Sequence, residues 1–198
     1  MDDPEPSRST TGQPPSESMK PAACAVGAAG GDDAAVPPGR VMSIDLVDRT
    51  GRLTPSQIDE LGRYVEDATA ELGISGTLDV AVIDDSRMAA AHERYSGVSG
   101  TTDVLTFDHR ADATSGRRGA VSRSVETELL VCFDEATRQA SANGTSVVSE
   151  LLLYVVHGVL HCVGYDDATP AAAAAMHAEE DRVLVGIGVG PVYAGGRS

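Results

Sequence analysis

Three cysteines in 198 residues, Cys24, Cys132 and Cys162, are too few and too scattered for a disulfide framework, so a reducing, cytoplasmic setting is expected. Basic residues are also scarce: 15 Lys and Arg face 30 Asp and Glu, a net charge of −15. That sign is the opposite of what a protein binding nucleic acid by bulk electrostatics carries. There is no uninterrupted apolar run long enough for a membrane span, because the longest, Val147 to Tyr165, contains Glu150 and two histidines. The N-terminus, Met-Asp-Asp-Pro-Glu, has neither the basic nor the apolar region of a secretory signal. No internal repeat is present. The length suits one domain with a core that needs no covalent staples.

Residues 1–40 hold seven of the ten prolines and no aromatic residue. Such a segment buries too little apolar surface to offset the entropy of ordering, and a disordered extension is expected there. Beyond it, Met42, Ile44 and Leu46 alternate with polar residues as in a half-buried strand. Thr54-Pro55-Ser56-Gln57 reads as a capping box with proline at the first helical position, followed by Ile58, Leu61, Val65, Ala68 and Leu72 at helical spacing and a stop at Gly73. Further strands are expected at 78–83, 103–107 and 128–133, and helices at 84–95, from about Asp134, at 146–163 and from Thr169-Pro170 onward. The pattern predicts an α+β single domain, a small mixed sheet covered by helices, with a short tail at 191–198.

The helix expected at 146–163 carries the chemistry. It ends His157-Gly-Val-Leu-His161-Cys-Val-Gly164-Tyr165-Asp166-Asp167. Histidines four apart stack on one helix face, where one ion can be bound by both. Gly164 ends the helix by taking the left-handed conformation, and the reversal returns Asp167 as a third ligand. The pattern H-x3-H-x2-G-x2-D follows the metzincin zinc spacing with two exchanges: Gly158 replaces the catalytic glutamate, and aspartate the third histidine. An isolated histidine pair is more often structural. Here the pair lies on a very apolar helix (Leu151 to Val156), where imidazoles need polar partners, and the glycine and oxygen ligand complete the set. Asp166 is expected to accept a hydrogen bond from a ligand histidine. Arg110, Arg117, Arg118 and Arg123 cluster in one Gly/Ser/Ala-rich stretch, with two readings: a solvated surface loop, or a mobile arm for phosphate.

These residues resemble the YbeY family of bacterial ribosomal-RNA maturation factors, over about residues 41–190. Thr102-Asp-Val-Leu-Thr-Phe107 is similar to the family's TDVLSF, and 157–167 to its HGxLHLxGYDH. Glu128-Leu-Leu-Val-Cys132 resembles the GDIVIC strand, and Met176 and Glu180 match M-x3-E in the last helix. The resemblance implies a zinc-dependent, single-strand-specific endoribonuclease with one Zn2+ per chain on His157, His161 and Asp167. It implies ribosomal RNA and the small ribosomal subunit as partners, the 3′ end of the small-subunit RNA as substrate, and neither DNA nor membrane. Three positions depart from the family. Its third metal histidine is Asp167, an arginine that acts on phosphate is Ser96, and its Gly-Asp pair is Thr127-Glu128. An anionic ligand lowers the net charge at the ion and makes it a weaker Lewis acid. Arg94 and His109 are candidate replacement cations. The alternative is a catalytically weakened ribosome-assembly binding protein that keeps the metallohydrolase fold.

Overall fold

The computed structural model describes residues 41–110 and 123–192. Its elements follow in the order β1 (Met42–Asp48), α1 (Pro55–Glu71), β2 (Ser75–Ile83), α2 (Asp85–Ser96), β3 (Val104–Asp108), β4 (Ser124–Cys132), α3 (Phe133–Asn143), α4 (Val147–Val163) and α5 (Pro170–Gly186). The four strands form one sheet in the order β1-β2-β4-β3. β1 and β4 flank β2 in parallel, and β3 pairs antiparallel to β4 as an edge strand. The sheet is therefore mixed and covered by helices, the α+β architecture expected.

Local chemistry sets the helix ends. At α1 the Thr54 hydroxyl accepts from the Gln57 N–H while the Gln57 side chain accepts from the Thr54 N–H, the reciprocal capping box. Asp84, Ser146 and Thr169 cap α2, α4 and α5 in the same one-sided manner. Both β2 and β4 start earlier than the apolar pattern indicates. Of the added residues, Ser75 to Thr77 pair with Ser124 to Glu126 and Thr127 pairs with Leu78, and Ser75 and Thr127 are buried polar groups that a hydrophobic pattern does not register.

The two faces of the sheet differ. On one, α4 lies in the centre of the main core, packed against β3, β4, α1, α3 and α5, and 13 of its 17 residues are buried. On the other, α2 covers only part of the sheet over a small cluster of Ala81, Ile83, Met88 and Cys132. Burial raises the Cys132 thiol to about 11, so it packs as an inert neutral group. Among the described residues no single helix is long and apolar enough to cross a membrane.

α4 reaches the sheet closely because of Gly158. A Cβ there would stand 2.8 Å from both Leu129 Cδ2 of β4 and Thr106 Oγ1 of β3. The residue that the sequence reads as the missing general base is thus also the contact point of helix and sheet. Near the helix end, the Thr127 hydroxyl approaches Cys162 Sγ at 3.3 Å, so the threonine replacing the family's glycine is tied to α4.

Candidate metal centre

The last turn of α4 leaves the core. His157 and His161 are each partly exposed while their helical neighbours are buried. Gly164, at φ 107°, ends the helix in the left-handed region, with its N–H directed at the carbonyls of His161 and Leu160. The Asp166 carboxylate then accepts from the N–H groups of Asp167 and Ala168, which turns the chain toward α5. That turn carries Asp167 back over the histidines.

The three residues converge as the spacing predicts. One ligand atom from each of His157, His161 and Asp167 lies within 4.8 Å of the others. The two Nε2 atoms are 3.1 Å apart, and Asp167 Oδ2 is 3.9 Å from His157 Nε2. Two nitrogens each about 2.0–2.1 Å from one tetrahedral zinc stand roughly 3.3 Å apart, close to the spacing found.

Hydrogen bonds on the far side of each ring test the fit. His157 Nδ1 is 2.7 Å from Oε1 of Glu180, and His161 Nδ1 is 3.2 Å from the carbonyl oxygen of Tyr165. A carbonyl or carboxylate oxygen only accepts, so each Nδ1 carries the proton. In neutral rings both Nε2 atoms then present lone pairs to each other, with a carboxylate beside them. Either a proton on one ring or a shared cation satisfies that arrangement, and the donor set of two imidazoles and a carboxylate is one that suits zinc. Glu180 strengthens the point: it is fully buried, and its Oε2 has no hydrogen-bond partner among the described residues. A buried carboxylate needs positive charge nearby. Burial alone would lower the His157 pKa, but the Glu180 hydrogen bond and charge outweigh it and raise the value.

Glu180 is the partner of His157 that sequence spacing left without a role. Its signals were the M-x3-E match with Met176 and an acid placed between Met176 and Val183 on the buried stripe of α5. Asp166, expected to hold a ligand histidine, instead stabilises the turn, and Glu180 and Tyr165 take that part.

Arg110 also differs from expectation. Its guanidinium binds both oxygens of Asp108, at 2.5 Å for the shortest contact, and donates to the carbonyls of Ser124 and Cys162. It clamps the end of β3 to the C-terminus of α4, whose last carbonyls lack helical partners. Arg110 is a structural clamp at the end of α4. Of the rest of that arginine cluster, Arg123 is exposed, while Arg117 and Arg118 lie outside the described residues, as does Cys24.

A cavity of about 480 Å³ opens beside His157, lined among others by Thr102, Asp103, Glu135, Glu150 and Tyr154. Arg94 does not line it. It sits over the Tyr95 ring at 5.3 Å and lines a separate groove with Glu128. His109 is exposed, with Nε2 3.8 Å from a Glu128 oxygen. His92 is partly buried on α2 and bonds the Gly100 carbonyl oxygen through Nδ1.

The family model described as endoribonuclease YbeY matches residues 49–188. The chain belongs to the YbeY family. It is 33% identical over 141 residues to an endoribonuclease YbeY of Moorella thermoacetica, an alignment covering 67% of this chain and 87% of the relative. It is 31% identical to that of Geobacillus kaustophilus, covering 74% and 96%, and 32% identical to that of Mycobacterium tuberculosis, covering 72% and 82%. The solution structure of TM1509 from Thermotoga maritima has the same fold at 21% identity, with a TM-score of 0.50 over 74% of this chain and 89% of that one. Within the YbeY sequence pattern, the departures at Asp167, Ser96 and Glu128 fall in three places. Asp167 is in the cluster with His157 and His161, Ser96 is exposed at the end of α2, and Glu128 is on the sheet face turned away from α4.

Proposed function

We propose that this chain is a metal-dependent, single-strand-specific endoribonuclease that matures ribosomal RNA at the 3′ end of the small-subunit RNA, in the cytoplasm. One zinc ion per chain would be held by His157, His161 and Asp167, within a catalytic domain spanning residues 41–190. The observation that carries the reading is the pair of facing Nε2 atoms, with both Nδ1 protons committed elsewhere. The relatives' name, endoribonuclease, gives the class of bond.

A bound zinc supplies Lewis acidity toward a phosphoryl oxygen. The protein residues do the rest. Glu180 and the Tyr165 carbonyl hold the imidazoles in the tautomer that presents Nε2. Asp167, exposed, completes the set from a turn that Asp166 fixes. The cavity beside His157 offers room for a nucleotide next to the ion. Gly158 leaves no carboxylate where a zinc peptidase keeps its general base, which argues against peptide hydrolysis.

The test is cleavage of a labelled single-stranded RNA by purified protein, with and without a chelator, beside elemental analysis for zinc. Near one zinc per chain is expected, with chelator-sensitive cleavage that His157→Ala abolishes. Equal cleavage by wild type and His157→Ala would sink the proposal.

Ser96 favours a second reading, a ribosome-assembly binding protein with weakened catalysis. It leaves the family's phosphate-contacting position without a cation. Restoring the charge with Ser96→Arg separates the two: a gain in cleavage marks an eroded enzyme, and unchanged, already substantial cleavage in wild type rules out the weakened protein.

A further inference from the structure

Four of the nine arginines among the described residues are neutralised. Arg52, Arg110, Arg138 and Arg182 each have a carboxylate within salt-bridge distance. Arg49, Arg87 and Arg94 have none among the described residues, and all three line one groove of about 610 Å³. The groove lies on the sheet face that α2 only partly covers, with Ala90, Ala91, Leu130 and Tyr95 on its walls. α2 builds it by spacing, because Arg87, Ala91 and Arg94 fall on one helix face. Arg87 donates to the Arg49 carbonyl oxygen at 2.6 Å, which joins the end of β1 to α2. Glu128 is the acidic residue among those lining it.

An aromatic ring stands at the same place. Tyr95 is 58% exposed, one of the few large apolar side chains so placed. Its ring is set edge-on against Phe107 at 4.9 Å and 74°, and the Arg94 guanidinium lies 5.3 Å from its centroid. Exposed aromatic surface beside unpaired arginines is the composition of a single-strand nucleic-acid groove, where phosphates meet cations and a base stacks on a ring.

We infer that this groove of Arg49, Arg87, Arg94 and Tyr95 is a second contact site for single-stranded RNA, holding the strand on the opposite side of β3 from the His157 cluster. β3 is an edge strand of the sheet, and its two faces link the sites. Phe107 supports Tyr95 on one face, and Thr106 meets α4 at Gly158 on the other. A strand leaving the metal cluster need only pass over that edge to reach the arginines. The groove thus localises positive charge in a chain whose total charge of −15 repels RNA elsewhere. The inference rests on the proposed RNA substrate, but not on cleavage.

Its test is fluorescence anisotropy with a labelled single-stranded RNA dodecamer and the full chain in chelator, so that binding is read without turnover. The double variant Arg49→Gln/Arg94→Gln, which removes no hydrogen bond seen in the fold, is expected to weaken binding at least tenfold. It should also flatten the slope of log Kd against log salt by about 1.4, roughly 0.7 for each lost phosphate contact on a single strand. Tyr95→Ala should weaken binding at least about fivefold, as loss of one stacked base does, and leave the slope unchanged. Arg63→Gln is the control, an exposed and unpaired arginine on α1, and should bind as wild type. Wild-type affinity in the groove variants, or the same loss in Arg63→Gln, overturns the inference. So does binding of an acidic peptide as tight as that of RNA, which would make the groove a protein site. Groove-dependent binding with no cleavage upholds the site while defeating the nuclease. Cleavage with groove-independent binding does the reverse.

Discussion

Glu180, fully buried on α5, accepts a 2.7 Å hydrogen bond from His157 Nδ1 on α4, joining two helices whose contributing residues stand far apart in sequence. The bond fixes the ring's tautomer and makes its Nε2 more electron-rich, the usual role of a carboxylate behind a metal-ligating imidazole. Glu180→Gln keeps the volume and removes the charge. Zinc affinity is expected to fall by about 10- to 100-fold, measured by competition with a chromophoric chelator. An unchanged affinity would mean that Glu180 serves only to pack α5 on α4.

Asp167 invites the opposite change. Asp167→His would exchange an anion for a neutral ligand, so the ion keeps more of its positive charge and polarises a bound group more strongly. Cleavage of single-stranded RNA should reach half its maximal rate at lower pH than in the wild type. Asp167→Ala should weaken zinc retention, because the site keeps only two ligands. A pH profile that Asp167→His leaves in place would show that Asp167 lies outside the ion's coordination sphere.

What could be read from the sequence divides by distance along the chain. The Thr54–Gln57 capping box, the stop at Gly164 and the convergence of His157, His161 and Asp167 depend on neighbours within about one or two turns, and spacing reveals them. The His157–Glu180 bond needs the approach of α4 to α5, which no local pattern encodes. Arg110 shows the same limit. Among Gly, Ser and Ala it reads as loop, yet its partners include the Cys162 carbonyl oxygen, supplied by a distant helix. Strand order was equally hidden, since β2 and β4 pair along their whole length with α2 and β3 between them in sequence. Thr127 concealed part of β4 because a buried hydroxyl held by Cys162 Sγ looks polar in any hydrophobic pattern.

Two helix glycines predict opposite outcomes. At Gly158 a methyl group would meet Leu129 and Thr106 at 2.8 Å, one of these being a β-branched side chain on the sheet. Overpacking of that kind costs about 1–3 kcal/mol, more than the roughly 1 kcal/mol that alanine gains over glycine in a helix. Gly158→Ala should therefore lower stability to urea by up to about 2 kcal/mol. At Gly62 in α1 a Cβ would meet nothing within 4 Å, so Gly62→Ala should raise stability by about 0.5–1 kcal/mol. Equal shifts in the two variants would contradict the close approach of α4 to the sheet.

The Asp108–Arg110 clamp carries a pH signature. Burial tends to raise the Asp108 pKa, but the Arg110 hydrogen bonds and charge outweigh it and hold the value below the ordinary carboxylate range. A carboxylate with a depressed folded value stabilises the protein above its unfolded pKa, about 3.9, and loses that contribution as pH falls through the folded value. Asp108→Asn removes the charge and should be less stable than wild type from pH 7 down to about 5, with the difference shrinking below about pH 4. Urea unfolding at a series of pH values, in chelator to keep zinc loss out of the comparison, reads this directly. A stability difference that stays constant down to pH 3 would mean that Arg110 acts through the Ser124 and Cys162 carbonyls alone. In that case Arg110→Gln should cost more than Asp108→Asn, because it frees the Cys162 carbonyl at the C-terminus of α4.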